Sequence, residues 1–89
     1  MNYTVRWEET ALDELTRAWV AASSSERSRI TAATARVDAL LKQNPWACSE
    51  SREADLRVVI ESPLTITFRV EEAIQRVSVV HVWTSRSRG

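Results

Sequence analysis

Between Leu56 and Trp83, apolar and polar residues alternate in three runs, and such a chain commits its side chains to the two opposite faces of a β-sheet. In the middle run Leu64, Ile66, Phe68 and Val70 fall on one side, and Thr65, Thr67, Arg69 and Glu71 on the other. The run before it sets Leu56, Val58 and Ile60 against Arg57, Val59 and Glu61. The run after it sets Val80 and Val82 against Val79, His81 and Trp83. The pattern predicts a sheet with one buried face and a second face that carries arginines and the single histidine. Chemistry is expected on that second face.

Short connections between the three runs make them antiparallel neighbours, and directly opposed residues share a face. With Ile60 opposite Leu64, the turn is Glu61-Ser62-Pro63 and Arg57 stands opposite Thr67. With Val70 opposite Ser78, Thr67 stands opposite His81. The expected row is therefore Arg57, Thr67 and His81, with Arg69 and Glu61 on its diagonals; a two-residue slip keeps all five on one face.

The remaining elements follow from spacing. Tyr3, Val5 and Trp7 alternate with polar neighbours and predict a first strand. Thr10 and Asp13 have the spacing of a helix-capping pair, and Ala11, Leu12, Leu15, Ala18, Trp19 and Ala22 form an apolar stripe behind them. Ser23, Ser24 and Ser25 break that stripe and are good caps for a second helix, in which Ile30, Ala33, Val37, Leu40 and Leu41 recur until Asn44-Pro45. Residues 46–55 are polar and aperiodic, which predicts a loop. The expected fold is α+β: an N-terminal strand, a helical hairpin, then a three-stranded antiparallel meander, all forming one four-stranded sheet with the hairpin on its apolar face.

A chain of 89 residues is expected to be one domain, spanning 1–89, since it cannot bury two cores. Its single cysteine, Cys48, excludes an internal disulfide and has no second ligand at metal-binding spacing, so no metal is expected. The only glycine is Gly89, which excludes a phosphate-cradling glycine loop; no cofactor is expected. No charged start followed by an apolar run marks a signal peptide or membrane span, and the expected location is cytoplasmic. Twelve basic and twelve acidic residues cancel, so any phosphate binding must come from a local patch. The basic residues are arginine except Lys42, and arginine suits bidentate phosphate contact.

The order of elements, with Trp7 opening into Glu8-Glu9-Thr10-Ala11-Leu12-Asp13-Glu14-Leu15, resembles the RelE/ParE family of toxins from bacterial toxin–antitoxin pairs. The later residues Pro63-Leu64, Phe68-Arg69-Val70, Val77, Val79 and Val82-Trp83 are similar to that family's central hairpin and last strand. The resemblance covers almost the whole chain. It implies a toxin that is either a ribosome-dependent mRNA endonuclease or a gyrase inhibitor, with a cognate antitoxin as partner, ribosome and mRNA (or DNA gyrase) as targets, and a possible homodimer. Glu50-Ser51-Arg52 looks like a string found in one branch of such proteins, and it implies a loop glutamate acting as a base. Thr65 stands where the nucleases carry an arginine, and the tail Thr84-Ser85-Arg86-Ser87-Arg88 has no tyrosine or histidine. Those two departures keep open a non-enzymatic binder on the same fold, either a ParE-type gyrase inhibitor or a catalytically lapsed toxin-like domain.

Metal-free RNA cleavage needs a base for the 2′-hydroxyl, an acid for the 5′-oxygen and cations for the charged phosphorane. The expected catalytic set is Arg57 and Arg69 on the phosphate, with His81 or Glu50 moving protons. The expected RNA-binding set is Arg52, Arg86 and Arg88, with Trp83 stacking on a base. Each has a bland counterpart: solvated arginines paired with Glu61, Glu71 or Asp55, a packed strand histidine, and a solubilising tail.

Overall fold

The computed structural model of the protein describes residues 2–52 and 55–84. Strand β1 (Thr4–Trp7) leads into helices α1 (Glu9–Ala21) and α2 (Ser24–Gln43), followed by β2 (Glu50–Ser51), β3 (Leu56–Glu61), β4 (Leu64–Glu71), a single 3-10 turn at Glu72–Ile74 and β5 (Arg76–Thr84). The strands form one sheet in the order β1-β5-β4-β3-β2. β1 runs parallel to β5, and every other pair is antiparallel. The α+β class and the meander are as the sequence predicts. The strand count is five rather than four, because Glu50 and Ser51, inside the expected loop, pair with Val58 and Arg57.

The helices start by different means. Ser23 caps α2 with a full capping box, its hydroxyl accepting from Glu26 N while the Glu26 carboxylate accepts from Ser23 N. α1 does not use Thr10: it starts at Glu9, and Glu8 stands before it without a side-chain cap. The reason lies in the ladder, since Glu8 N still donates to Val79 O at 3.0 Å and the chain turns into the helix directly off the strand. Glu8 and Glu9 then place negative charge at the positive end of the helix dipole.

The core lies between α2 and the sheet. Ile30, Ala33, Val37 and Leu41 of α2 are buried against Leu64, Ile66 and Phe68 of β4, Val59 of β3, and Val77, Val79 and Val82 of β5. α1 is less committed: Ala11 is buried, while Leu12 and Trp19 remain exposed. Part of its expected stripe therefore faces outward beside a roughly 490 Å³ apolar groove that runs between the helices past Trp7, Leu15, Trp19 and Ile30.

Two registers correct the expected faces. The β3–β4 connection is tighter than expected, with Ser62–Pro63 as its only unpaired residues and Glu61 opposite Leu64. This one-residue shift reverses every side chain of β3. Arg57, Val59 and Glu61 share the helix-side face with Phe68, Ile66 and Leu64, while Leu56, Val58 and Ile60 share the open face with Arg69, Thr67 and Thr65. Val59 joins the core, Glu61 pairs with Arg36 of α2 at 2.8 Å, and Ile60 is left 69% exposed. Near the sheet edge only one β3 side chain reaches the packed core, so polar partners for its neighbours weigh more than three apolar residues in phase.

In β5 the pairing shifts between Thr67 and Phe68: Thr67 stands opposite His81, yet Phe68 stands opposite Val79. Val80 is the extra residue of a β-bulge, which reverses the phase of the strand in mid-course. Val77 and Val79 thereby face the core before the bulge and Val82 after it. Val79 is corrected from the open face to the core. His81 stays on the open face only because Val80 is inserted.

Candidate functional site

The open face can be read in rows from the pairing. Glu50, Val58, Thr67 and His81 oppose one another in sequence across four strands. The next row is Leu56, Arg69, Ser78 and Arg6, and beyond it stand Glu71, Arg76 and Thr4. On the other side of the histidine row lie Ile60, Thr65 and Trp83.

Of the expected catalytic residues, Arg57 is not in this surface. Its guanidinium points to the helix side, where Nε donates to Ser49 Oγ at 2.7 Å and Nη2 donates to Ser49 O at 3.0 Å and Trp46 O at 3.3 Å. The same group lies 4.9 Å from the centre of the Trp46 ring, a cation–π contact. Arg57 clamps the segment Pro45–Ser49 and leaves the row that the sequence assigned to it. Cys48 sits in that segment, and burial pushes its thiol pKa up although Arg57 pulls the other way. Arg57→Ala is expected to lower stability by about 1–3 kcal/mol in urea unfolding, from lost hydrogen bonds to a charged group. It is also expected to speed thiol labelling of Cys48 severalfold, because loosening the segment relieves the burial, the largest influence on the thiol.

Arg69 is on the open face as expected, with Nε bonded to Asp55 Oδ2 at 2.8 Å. The pair is exposed and weakly held, so an incoming phosphate can compete for the guanidinium. Arg76 and Arg6 also stand on this face and were missed by sequence reasoning. The alternation of Arg6 with Val5 and Trp7 was a usable signal; Arg76 lay hidden because the bulge breaks the phase of its strand. Arg6 has no side-chain partner among the described residues. Arg76 is engaged by Glu71, through Nε to Oε1 at 2.9 Å, and Ser78 Oγ donates to the same carboxylate oxygen at 3.0 Å.

Those hydrogen bonds, Arg76 first and Ser78 second, hold the Glu71 carboxyl below its usual range. A depressed carboxyl stabilises the fold fully above its unfolded pKa and loses that contribution as pH falls through the folded value. Glu71→Gln is therefore expected to flatten the part of the stability profile that declines below about pH 4.5 in the native protein, as read by thermal unfolding across that range.

His81 lies at the edge of β5, beyond the reach of β1. Its Nδ1 is 3.4 Å from Glu14 Oε2, and Glu14 Oε1 accepts from Val82 N at 2.8 Å. Trp83 stacks on the imidazole with ring centres 5.7 Å apart and an interplanar angle of 21°. The exposed Trp83 ring is thus already half of an aromatic stack. Glu50 is exposed and on the same face, but three strand spacings from His81 amount to about 14 Å. The histidine leans toward the opposite edge, so the two expected proton carriers do not converge on one phosphate. Arg52 follows β2, exposed, with its backbone N–H bonded to Leu56 O at 2.9 Å. Arg86 and Arg88 lie outside the described residues.

Among the described residues no group of three or more His, Cys, Asp or Glu side chains could hold a metal ion. No described helix is long and apolar enough to cross a membrane.

No protein-family model matches the chain, and no curated protein is significantly similar to it. Solved structures do match. A chain of the RelBE2 toxin–antitoxin complex of Mycobacterium tuberculosis superposes with a TM-score of 0.76 at 20% identity, covering 94% of this chain and 99% of that one. A chain of the chromosomal ParDE system of P. aeruginosa gives 0.72 at 13% identity, covering 94% and 97%. The isolated RelE toxin of E. coli gives 0.63 at 20% identity, covering 97% and 88%. This chain shares the fold of these proteins, and in this chain that fold is a five-stranded sheet with a helical hairpin on one face and the other face open.

Proposed function

We propose that the protein is the toxin of a toxin–antitoxin pair and that it cleaves ribosome-bound mRNA from the open face of the sheet. The observation that carries this reading is the placement of His81, Arg69 and the exposed Trp83 together on a face that no helix covers, on a fold shared with RelE. In the mechanism, His81 takes the 2′-hydroxyl proton, the freed oxygen attacks the phosphorus, and the 5′-oxygen leaves with a proton taken from water. Arg69 and Arg6 stabilise the charge on the phosphorane, Arg69 by exchanging Asp55 for the phosphate. Trp83 offers a surface for a base, in the row that runs through Thr65 to the exposed Ile60. Glu50 and Arg52, on the β2 side, suit contacts to the RNA strand rather than the proton transfers at the same phosphate. The antitoxin is the expected protein partner.

The second reading, a gyrase-directed binder, is favoured by the likeness to the ParDE chain and by the carboxylates that neutralise Arg69 and Arg76. Purified protein tested side by side on translating ribosomes and in a gyrase supercoiling assay separates the two. Cleavage within the ribosome-bound message with unchanged supercoiling is the expected result. Inhibited supercoiling with intact message would replace the nuclease with the binder.

A further inference from the structure

Glu14 belongs to α1, far in sequence from the open face, yet among the described residues its carboxylate is the ionic partner of His81. One oxygen is tied down by Val82 N–H, which has no strand partner on that side: β1 ends its pairing at Trp7 opposite Val79, and Glu8 N takes Val79 O. The carboxylate therefore substitutes for the missing ladder at the edge of β5, and its second oxygen is fixed facing Nδ1. A carboxylate only accepts, so Nδ1 must carry the proton when the ring is neutral, and Nε2 keeps the lone pair. Trp83 fixes the plane of the ring from one face. Three constraints thus set the ring: the bulge at Val80 brings it to the open face, Glu14 selects its tautomer, and Trp83 holds its plane.

We infer that Glu14 is the positioning residue for His81, holding the imidazole with Nδ1–H toward α1 and a basic Nε2 free to take a proton from substrate. The inference rests on the reading of His81 as the proton carrier for its effect on cleavage, but the tautomer itself does not depend on that reading. The 3.4 Å separation is long for a hydrogen bond, as is usual before substrate tightens such a pair.

The chain has a single histidine, so long-range proton–nitrogen NMR of the labelled full-length protein reports this ring alone. At a pH where the ring is neutral, the native protein is expected to show the Nδ1–H form. Glu14→Gln is expected to show the reverse: its carbonyl keeps Val82 N–H, its amide then points N–H at Nδ1, and the proton moves to Nε2. An Nε2–H ring in the native protein, or the same tautomer in both proteins, overturns the inference, and the native measurement alone can do so if the variant fails to fold. On ribosome-bound mRNA, Glu14→Gln is expected to cut at least about tenfold more slowly, with no further loss when added to His81→Ala. Equal rates for native and Glu14→Gln proteins would overturn it as well. Absence of cleavage by the native protein would instead sink the nuclease reading, and the tautomer would still decide the role of Glu14.

Discussion

Phe68→Ala is expected to remove a large share of the stability of the fold. Phe68 is fully buried at the centre of β4, flanked by β3 and β5, and packs in the cluster formed with α2. Truncating a buried phenylalanine costs about 3–5 kcal/mol. A domain of this size has roughly 4–13 kcal/mol of total stability, so the loss consumes a large share of it. Urea unfolding followed by circular dichroism gives the number. The same experiment tests the corrected register of β3: Val59→Ala should cost about 1–3 kcal/mol, and Ile60→Ala under about 0.5 kcal/mol, because Val59 is in the core and Ile60 is exposed. The reverse order would restore the phase read from the sequence and return Arg57 to the open face.

The other large effect concerns activity. The Arg69→Ala, His81→Ala double variant is expected to lose growth arrest on induction while keeping the native circular dichroism spectrum and nearly native unfolding midpoint. Neither side chain is buried, and their partners Asp55 and Glu14 are carboxylates that can return to water. Loss of a proton carrier costs about 10²–10⁴-fold in rate, and loss of a charge-stabilising donor about 10²–10³-fold, so the combined loss abolishes toxicity at ordinary expression. A double variant that arrests growth like the native protein would remove this face from the mechanism. Arg57→Ala is expected to remain toxic in proportion to the folded protein that survives.

The contrast between Arg57 and Arg69 shows where sequence stops being informative. In β4 both faces were legible, because a central strand packed by a helix needs an unbroken apolar side, and Leu64, Ile66 and Phe68 supply it. In β3 the apolar side of the pattern lies on the open face, where Val58 is covered and Ile60 is exposed. What decides there is the length of a two-residue turn, an ion pair from Arg36 and the clamp on Pro45–Ser49, and none of these has a periodic signature. In β5 the histidine reached its expected partner Thr67 through a bulge that alternation cannot reveal, since one inserted valine among four resembles its neighbours. Glu14 was invisible as a site residue for a related reason: a helix glutamate opposite a strand edge is recognised only once the edge is known to be open.

Whether this open sheet face cuts mRNA is decided by mapping mRNA 5′ ends after brief induction. New 5′ ends inside coding sequences, present with the native protein and absent with the Arg69→Ala, His81→Ala double variant, are the predicted result. Growth arrest by the native protein with unchanged 5′ ends would contradict it.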